Sequence, residues 1–216
     1  MRLRRKFRSR RGQSVVEFAL ILPVIMFLLL GMIEMGFAIN HNSSLVTATR
    51  QGARVGASLV NGSSFHHCND STNSADVDPQ IIAAAEGVLR SPGSPISVTQ
   101  VTGIDIFEVN ENGTAVADHK NTWTKSVDVS TGDPTGDYIP PDNTQRLYFA
   151  QGTVNWKASD RCGSAPAHGI GVRITYNYRF ITPLGSLITA LGGSLFNNGQ
   201  ITMSDQTIMS LEPPSP

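Results

Sequence analysis

Residues 15–39 form an apolar run broken only by Glu17 and Glu34, and it follows a tip in which seven of the first eleven residues are basic. As a helix these 25 residues reach about 37 Å, enough to cross a hydrocarbon layer about 30 Å thick with some tilt. The uncharged stretch between the two acids, residues 18–33, reaches only about 24 Å. At least one glutamate therefore sits at or inside the hydrocarbon edge. The basic tip holds Arg2, Arg4, Arg5, Lys6, Arg8, Arg10 and Arg11, and the next basic residue is Arg50. The positive-inside rule then puts residues 1–11 in the cytoplasm and the remainder outside, as a single-pass membrane protein. A secretory signal peptide has a shorter apolar region of about 7–15 residues and a small-residue cleavage site behind it. A plain signal anchor explains everything except the two acids and the glycine at the inner edge.

The formal charge is zero, with 17 basic and 17 acidic residues, but the basic tip supplies seven of the former. Without it, ten basic residues face 17 acidic ones, a charge of about −7. That balance argues against a nucleic-acid partner. The length of 216 residues suits one domain plus an anchor.

Glu17 is the informative acid. A carboxylate at helix-centre depth costs about 2.5–3.5 kcal/mol on insertion scales, so it normally has a partner. It lies at the start of the helix, where the positive helix end is one candidate. A free amino group is the other: a cut after Gly12 makes Gln13 the first residue and Glu17 the fifth. Glu34 is read either as an interfacial residue snorkelling toward the outer headgroups or as a packing partner. Pro23, inside the run, removes one helix hydrogen bond and is expected to kink or loosen the preceding turn.

These residues carry a resemblance. The segment from Gly12 through Gln13, Ser14, Val15, Val16 and Glu17 to Phe18 resembles the site cut by type IV prepilin peptidases. The wider stretch, residues 11–23, is similar to the start of TadE-like proteins, pseudopilins of the tight-adherence (Tad, or Flp) pilus system. So are Gly31-Met32-Ile33-Glu34-Met35-Gly36 and Ala48-Thr49-Arg50-Gln51-Gly52-Ala53-Arg54, with Gln51 where that family usually has glutamate. A weaker likeness covers residues 172–213, and residues 61–171 resemble nothing we can name. The resemblance implies cleavage after Gly12 by a membrane aspartic prepilin peptidase. It also implies that Glu17 pairs with an amino terminus during assembly, and that the partners are other pilins, pseudopilins and platform proteins of the same system.

Beyond the span, Leu45, Ala48, Gly52, Val55 and Leu59 recur at helical spacing, which extends the helix as a stalk. The small residues on this face, with Gly52 and Gly56 four apart, let a partner approach closely. The chain's own head is the first expected partner and a neighbouring subunit the second. Arg50 and Arg54 are expected to stay solvated or to reach acids of the head, and Asn61-Gly62 to end the helix. The expected division is a cleaved leader (1–12), a transmembrane helix (13–40), a stalk (41–60) and an extracytoplasmic head (61–216).

In the head, Asp78-Pro79 reads as a cap and first-turn proline, opening a short amphipathic helix that ends near residue 91. Alternation then predicts strands at 96–101 and 104–109, a hairpin turn at Asn112-Gly113, and further strands at 114–118, 123–129, 146–157, 170–181 and 200–211. Residues 61–78 and 131–143 read as loops. The fold class is α+β: a long N-terminal helix carrying an antiparallel β-sheet head with one short extra helix.

Cys68 and Cys162 both lie beyond the span. On an oxidising side they form a disulfide by default, closing a loop that contributes about 4–5 kcal/mol in the chain-entropy model; two buried thiols are the alternative. His66, His67 and Cys68 with His119 or His168 lack zinc-site spacing. The loop acids Asp70, Asp76 and Asp78 lack the glycine and final glutamate of an EF-hand. No metal, cofactor or enzyme motif is expected. A membrane-anchored adhesin, with a β-rich head binding a ligand or calcium, is the alternative to a pilus subunit.

Overall fold

The computed structural model describes residues 11–61, 77–140, 142–161, 169–190 and 200–211. The chain opens with helix α1, Arg11–Asn61, 51 residues long. Helix α2, Asp78–Leu89, follows. Strands β1 (Val101–Val109), β2 (Ala115–Lys125), β3 (Phe149–Val154) and β4 (Gly169–Arg179) come next, then helix α3 (Leu184–Ala190) and strand β5 (Gln200–Ser210). The five strands form one antiparallel sheet in the order β3-β2-β1-β4-β5. The fold is therefore α+β, a long N-terminal helix with a sheet and a short helix, as the patterning implied.

The chain divides into two compact units, Met1–Ala38 with Phe180–Gly199, and Ile39–Arg179 with Gln200–Pro216. In the first, α1 is long and apolar enough to cross a membrane. Its side chains from Val15 to Leu29 are exposed, the large apolar ones among them included. Burial of this kind of surface needs lipid or another apolar partner. The helix continues through Pro23 without a break.

In the second unit, the later part of α1 and all of α2 cover one face of the sheet. Leu45 and Ala48 of α1, Ile81, Ile82 and Leu89 of α2, and Ile104, Ile106, Trp123, Val172 and Ile174 of the sheet are buried together. Their removal from water is the main favourable term for this unit. The register explains the face. Ile104 lies opposite Trp123 on one side and Ile174 on the other, and Ile106 lies opposite Asn121 and Val172. The alternate residues point away from the helices and are mostly polar. Across that outer face Lys120 stands 3.8 Å from Asp105, and Arg173 donates to Gln206 at 2.7 and 3.1 Å while lying over the Phe107 ring.

Several expected boundaries shift. Residues 96–101 are not a strand: Val98–Gln100 is a single 3-10 turn, and the strand begins at Val101. A register irregularity between Val101 and Gly103 lets it run on to Val109 as one element. The segments 114–118 and 123–129 join as β2, because its middle residues are polar and mask the alternation. Only Phe149–Val154 of 146–157 is a strand, and β4 and β5 end two and one residues short of the expected limits. The 131–143 loop is pinned by isolated bridges, Val127 with Pro134 and Tyr138 with Arg146. The turn at Asn112-Gly113 is present, with Gly113 at φ 75° and the Asn110 side chain accepting from the amides of Asn112 and Thr114. Helix α3 was not foreseen.

Candidate assembly and anchoring elements

The expected cleavage segment lies in the first turns of α1. The Gly12–Gln13 bond lies within the described span of α1, Arg11–Asn61. A Cβ at Gly12 would meet nothing within 4 Å. Gln13 Nε2 donates to Glu17 Oε1 at 3.0 Å, one helical turn away, and both side chains are exposed. Phe18 is exposed beside them. Glu17 thus has a neutral local partner. Pro23 is exposed, on a helix that continues past it.

Glu34 behaves differently from Glu17. It is 4% exposed, although the apolar Met32, Ile33 and Met35 around it are open. Its Oε1 accepts the amide of Ile181 at 3.1 Å, and its Oε2 accepts the amide of Thr182 at 2.9 Å and the Thr182 hydroxyl at 2.5 Å. The Thr182 oxygen in turn accepts the amide of Leu184, the first residue of α3. Glu34 is thus hydrogen-bonded to a turn of its own chain. The partner, a turn 147 residues further along the chain, carries no local pattern that could have named it.

Further along α1 the small-residue face meets α2 and β4. A Cβ on Gly52 would stand 3.4 Å from Val172 and 3.5 Å from Ile81, whereas one on Gly56 would stand 2.7 Å from Ile170 and 3.0 Å from Ile81. The two glycines therefore set how closely α1 lies on the head, and Gly56 is the tighter. Thr49, fully buried beside them, donates to Asp205 Oδ2 at 2.6 Å and lies 3.0 Å from the Thr207 hydroxyl on β5. His41 is buried at 2.9 Å from the Tyr176 hydroxyl, with its ring nearly perpendicular to that of Tyr178. The Tyr176 hydroxyl donates to Gln100 Oε1 at 2.8 Å, so His41 Nδ1 is the donor of the pair. Burial pushes the Tyr176 phenol up to about 12. Arg50 and Arg54 are exposed.

Asp78 does not cap α2. The helix starts at Asp78 itself and no side chain caps it. The carboxylate instead meets Arg161 at 2.6 Å, with both side chains wholly buried, and accepts from Asn121 Nδ2 at 2.7 Å. Asn121 also donates to the Trp156 carbonyl, and its own oxygen accepts the amides of Asn155 and Trp156. The Arg161 guanidinium lies 4.3 Å over the Trp156 ring. This network ties the start of α2 to β2 and to the turn after β3. Glu86, on α2, accepts the Tyr148 amide at 2.8 Å, and burial raises its carboxyl from 4.5 to about 7.

Cys68, Cys162, His66, His67, His168, Asp70 and Asp76 lie outside the described residues. His119 is paired with Glu108. Among the described residues no three histidine, cysteine, aspartate or glutamate side chains gather as a metal site. No curated protein and no solved structure matches the chain. One family does: residues 12–54, from the expected cleavage site through the two arginines that follow the span, match the model of the TadE-like protein family.

Proposed function

We propose that this chain is a minor pilin-like subunit that assembles or primes a Tad-type pilus. It is held in the inner membrane by α1, with its N-terminus cytoplasmic and its sheet outside. The observation that carries this reading is the family match over residues 12–54, which falls on a helix long and apolar enough to span a bilayer. In this account a prepilin peptidase cuts after Gly12 and removes the basic tip once it has set the topology. The new amine of Gln13 then lies one helical turn from Glu17, and the same amine on a neighbouring subunit can serve equally. Gln13 already reaches Glu17 through its side chain. A charged partner in place of that neutral one offsets the cost of holding the carboxylate in a pilus or membrane core. The remaining partners are the other pilins and pseudopilins and the platform proteins of the system.

The test is genetic. Deleting the chain from a cell that builds tight-adherence pili should abolish or strongly reduce them. The intact gene should restore them, and a Glu17→Ala copy that still inserts should not. Normal pili in the deletion strain would remove the assembly role.

A further inference from the structure

Between the end of β4 at Arg179 and the start of β5 at Gln200 lie 20 residues, and the described ones among them, 180–190, group with the N-terminal part of α1 rather than with the strands on either side. The strands themselves pair without interruption up to Arg179 and Gln200, so the hairpin does not need a connection of this length. The stretch contains no aspartate, glutamate, lysine, arginine or histidine. Its described part, residues 180–190, begins as a tight turn in which the Phe180 ring lies over Gly185, and Ile181 and Pro183 face outward. Ile181 is 58% exposed.

Glu34 fixes where this turn lies. Its carboxylate takes both backbone amides and the hydroxyl of the turn, at a level of α1 where Met32, Ile33, Met35 and Phe37 are all open to the surroundings. Two costs cancel at this point. Non-helical backbone at the edge of a bilayer is tolerated only where its polar groups are satisfied. A carboxylate at the same depth is tolerated only where it is hydrogen-bonded. Each supplies what the other lacks, and the apolar side chains of Ile181 and Pro183 are left facing outward. Leu30, Gly31 and Ala38, on the Glu34 side of α1, are half-buried.

We propose that residues 180–190 are a second membrane-contacting element. They are tethered to the span by Glu34 and seated in the lipid interface beside it, so that the chain is held by two neighbouring elements instead of one. The inference rests on the reading of α1 as a membrane span. It assigns the exposed face of Ile181 and Pro183 to lipid, because that face is continuous with the apolar girdle of α1 around Glu34.

The test uses the full chain in phosphatidylethanolamine–phosphatidylglycerol vesicles at low protein density, with a polarity-sensitive fluorophore placed singly at position 25, 181 or 129. Lipids spin-labelled near the headgroup or deep in the acyl chain serve as quenchers. The expected result is deep quenching at 25, shallow quenching at 181, and none at 129, where Val129 is fully exposed on the other unit. Glu34→Ala should reduce the quenching at 181 several-fold and leave that at 25 unchanged. Quenching at 25 with none at 181 overturns the second contact while the anchor stands. No quenching at 25 overturns the anchor and this inference with it. Quenching at 181 unaffected by Glu34→Ala overturns the tether. A probe at 181 shielded from water but not reached by either spin label assigns the face to a second copy and also overturns it.

Discussion

The Asp78 carboxylate and the Arg161 guanidinium meet at 2.6 Å with neither side chain exposed to solvent. They are 83 residues apart in sequence; Asn121 also donates to the Asp78 carboxylate and the Trp156 carbonyl accepts from Arg161, whose buried Nε has no hydrogen-bond partner among the described residues. A buried pair of this kind owes its effect to being complete: removing one partner strands the other charge in a low-dielectric interior. Arg161→Ala or Asp78→Ala should therefore each cost about 3–5 kcal/mol. The double substitution should cost clearly less than the two together. Urea unfolding of the full chain in detergent, followed by the fluorescence of Trp123 and Trp156, measures this. Additive losses would show that the two side chains do not act as a pair.

Gly52 and Gly56 should respond in opposite directions. Gly52→Ala places its methyl at ordinary contact distance from Val172 and Ile81, and it gains helix propensity of about 0.8–1 kcal/mol. It should be neutral or stabilising. Gly56→Leu drives a large side chain into the ends of Ile170 and Ile81 and should cost about 1–3 kcal/mol by overpacking. Thermal unfolding of the two variants side by side checks the difference in sign.

Glu86 makes the stability of the head depend on pH. Its carboxyl rises from 4.5 to about 7 because burial disfavours the charged form. Between those values the folded chain binds more protons than the unfolded one. This contribution is fully present below about 4.5, falls as pH rises, and is lost above about 7. The span of the effect is on the order of 3–4 kcal/mol. Glu86→Gln keeps an acceptor for the Tyr148 amide and should flatten the decline. The measurement is the unfolding midpoint from pH 4 to 8, and an unchanged slope in the variant would assign the pH dependence to other groups.

Periodicity made the helices and most strands legible. The α1 seam at Leu45, Ala48 and Gly52 and the α2 face at Ile81, Ile82 and Leu89 could be read because each faces one continuous apolar surface. The middle of β2 could not, since His119, Lys120 and Asn121 face solvent or a polar network instead of the core. Asp78 beside Pro79 has the local form of a helix cap, and only the tertiary fold shows that Arg161 takes its carboxylate. Glu34 was recognisable as an acid out of place. Its partner is a backbone turn, and backbone amides leave no mark in a sequence. Helix α3 is seven residues long and was hidden in an uncharged run without a clear period.

The central claim turns on the bond after Gly12. Intact-mass analysis and N-terminal sequencing should be done on the chain recovered from cells with an active prepilin peptidase, and again from cells lacking it. The account predicts a mature chain beginning at Gln13 in the first case and the uncut N-terminus in the second. Residues 1–12 still attached when the peptidase is active would contradict it.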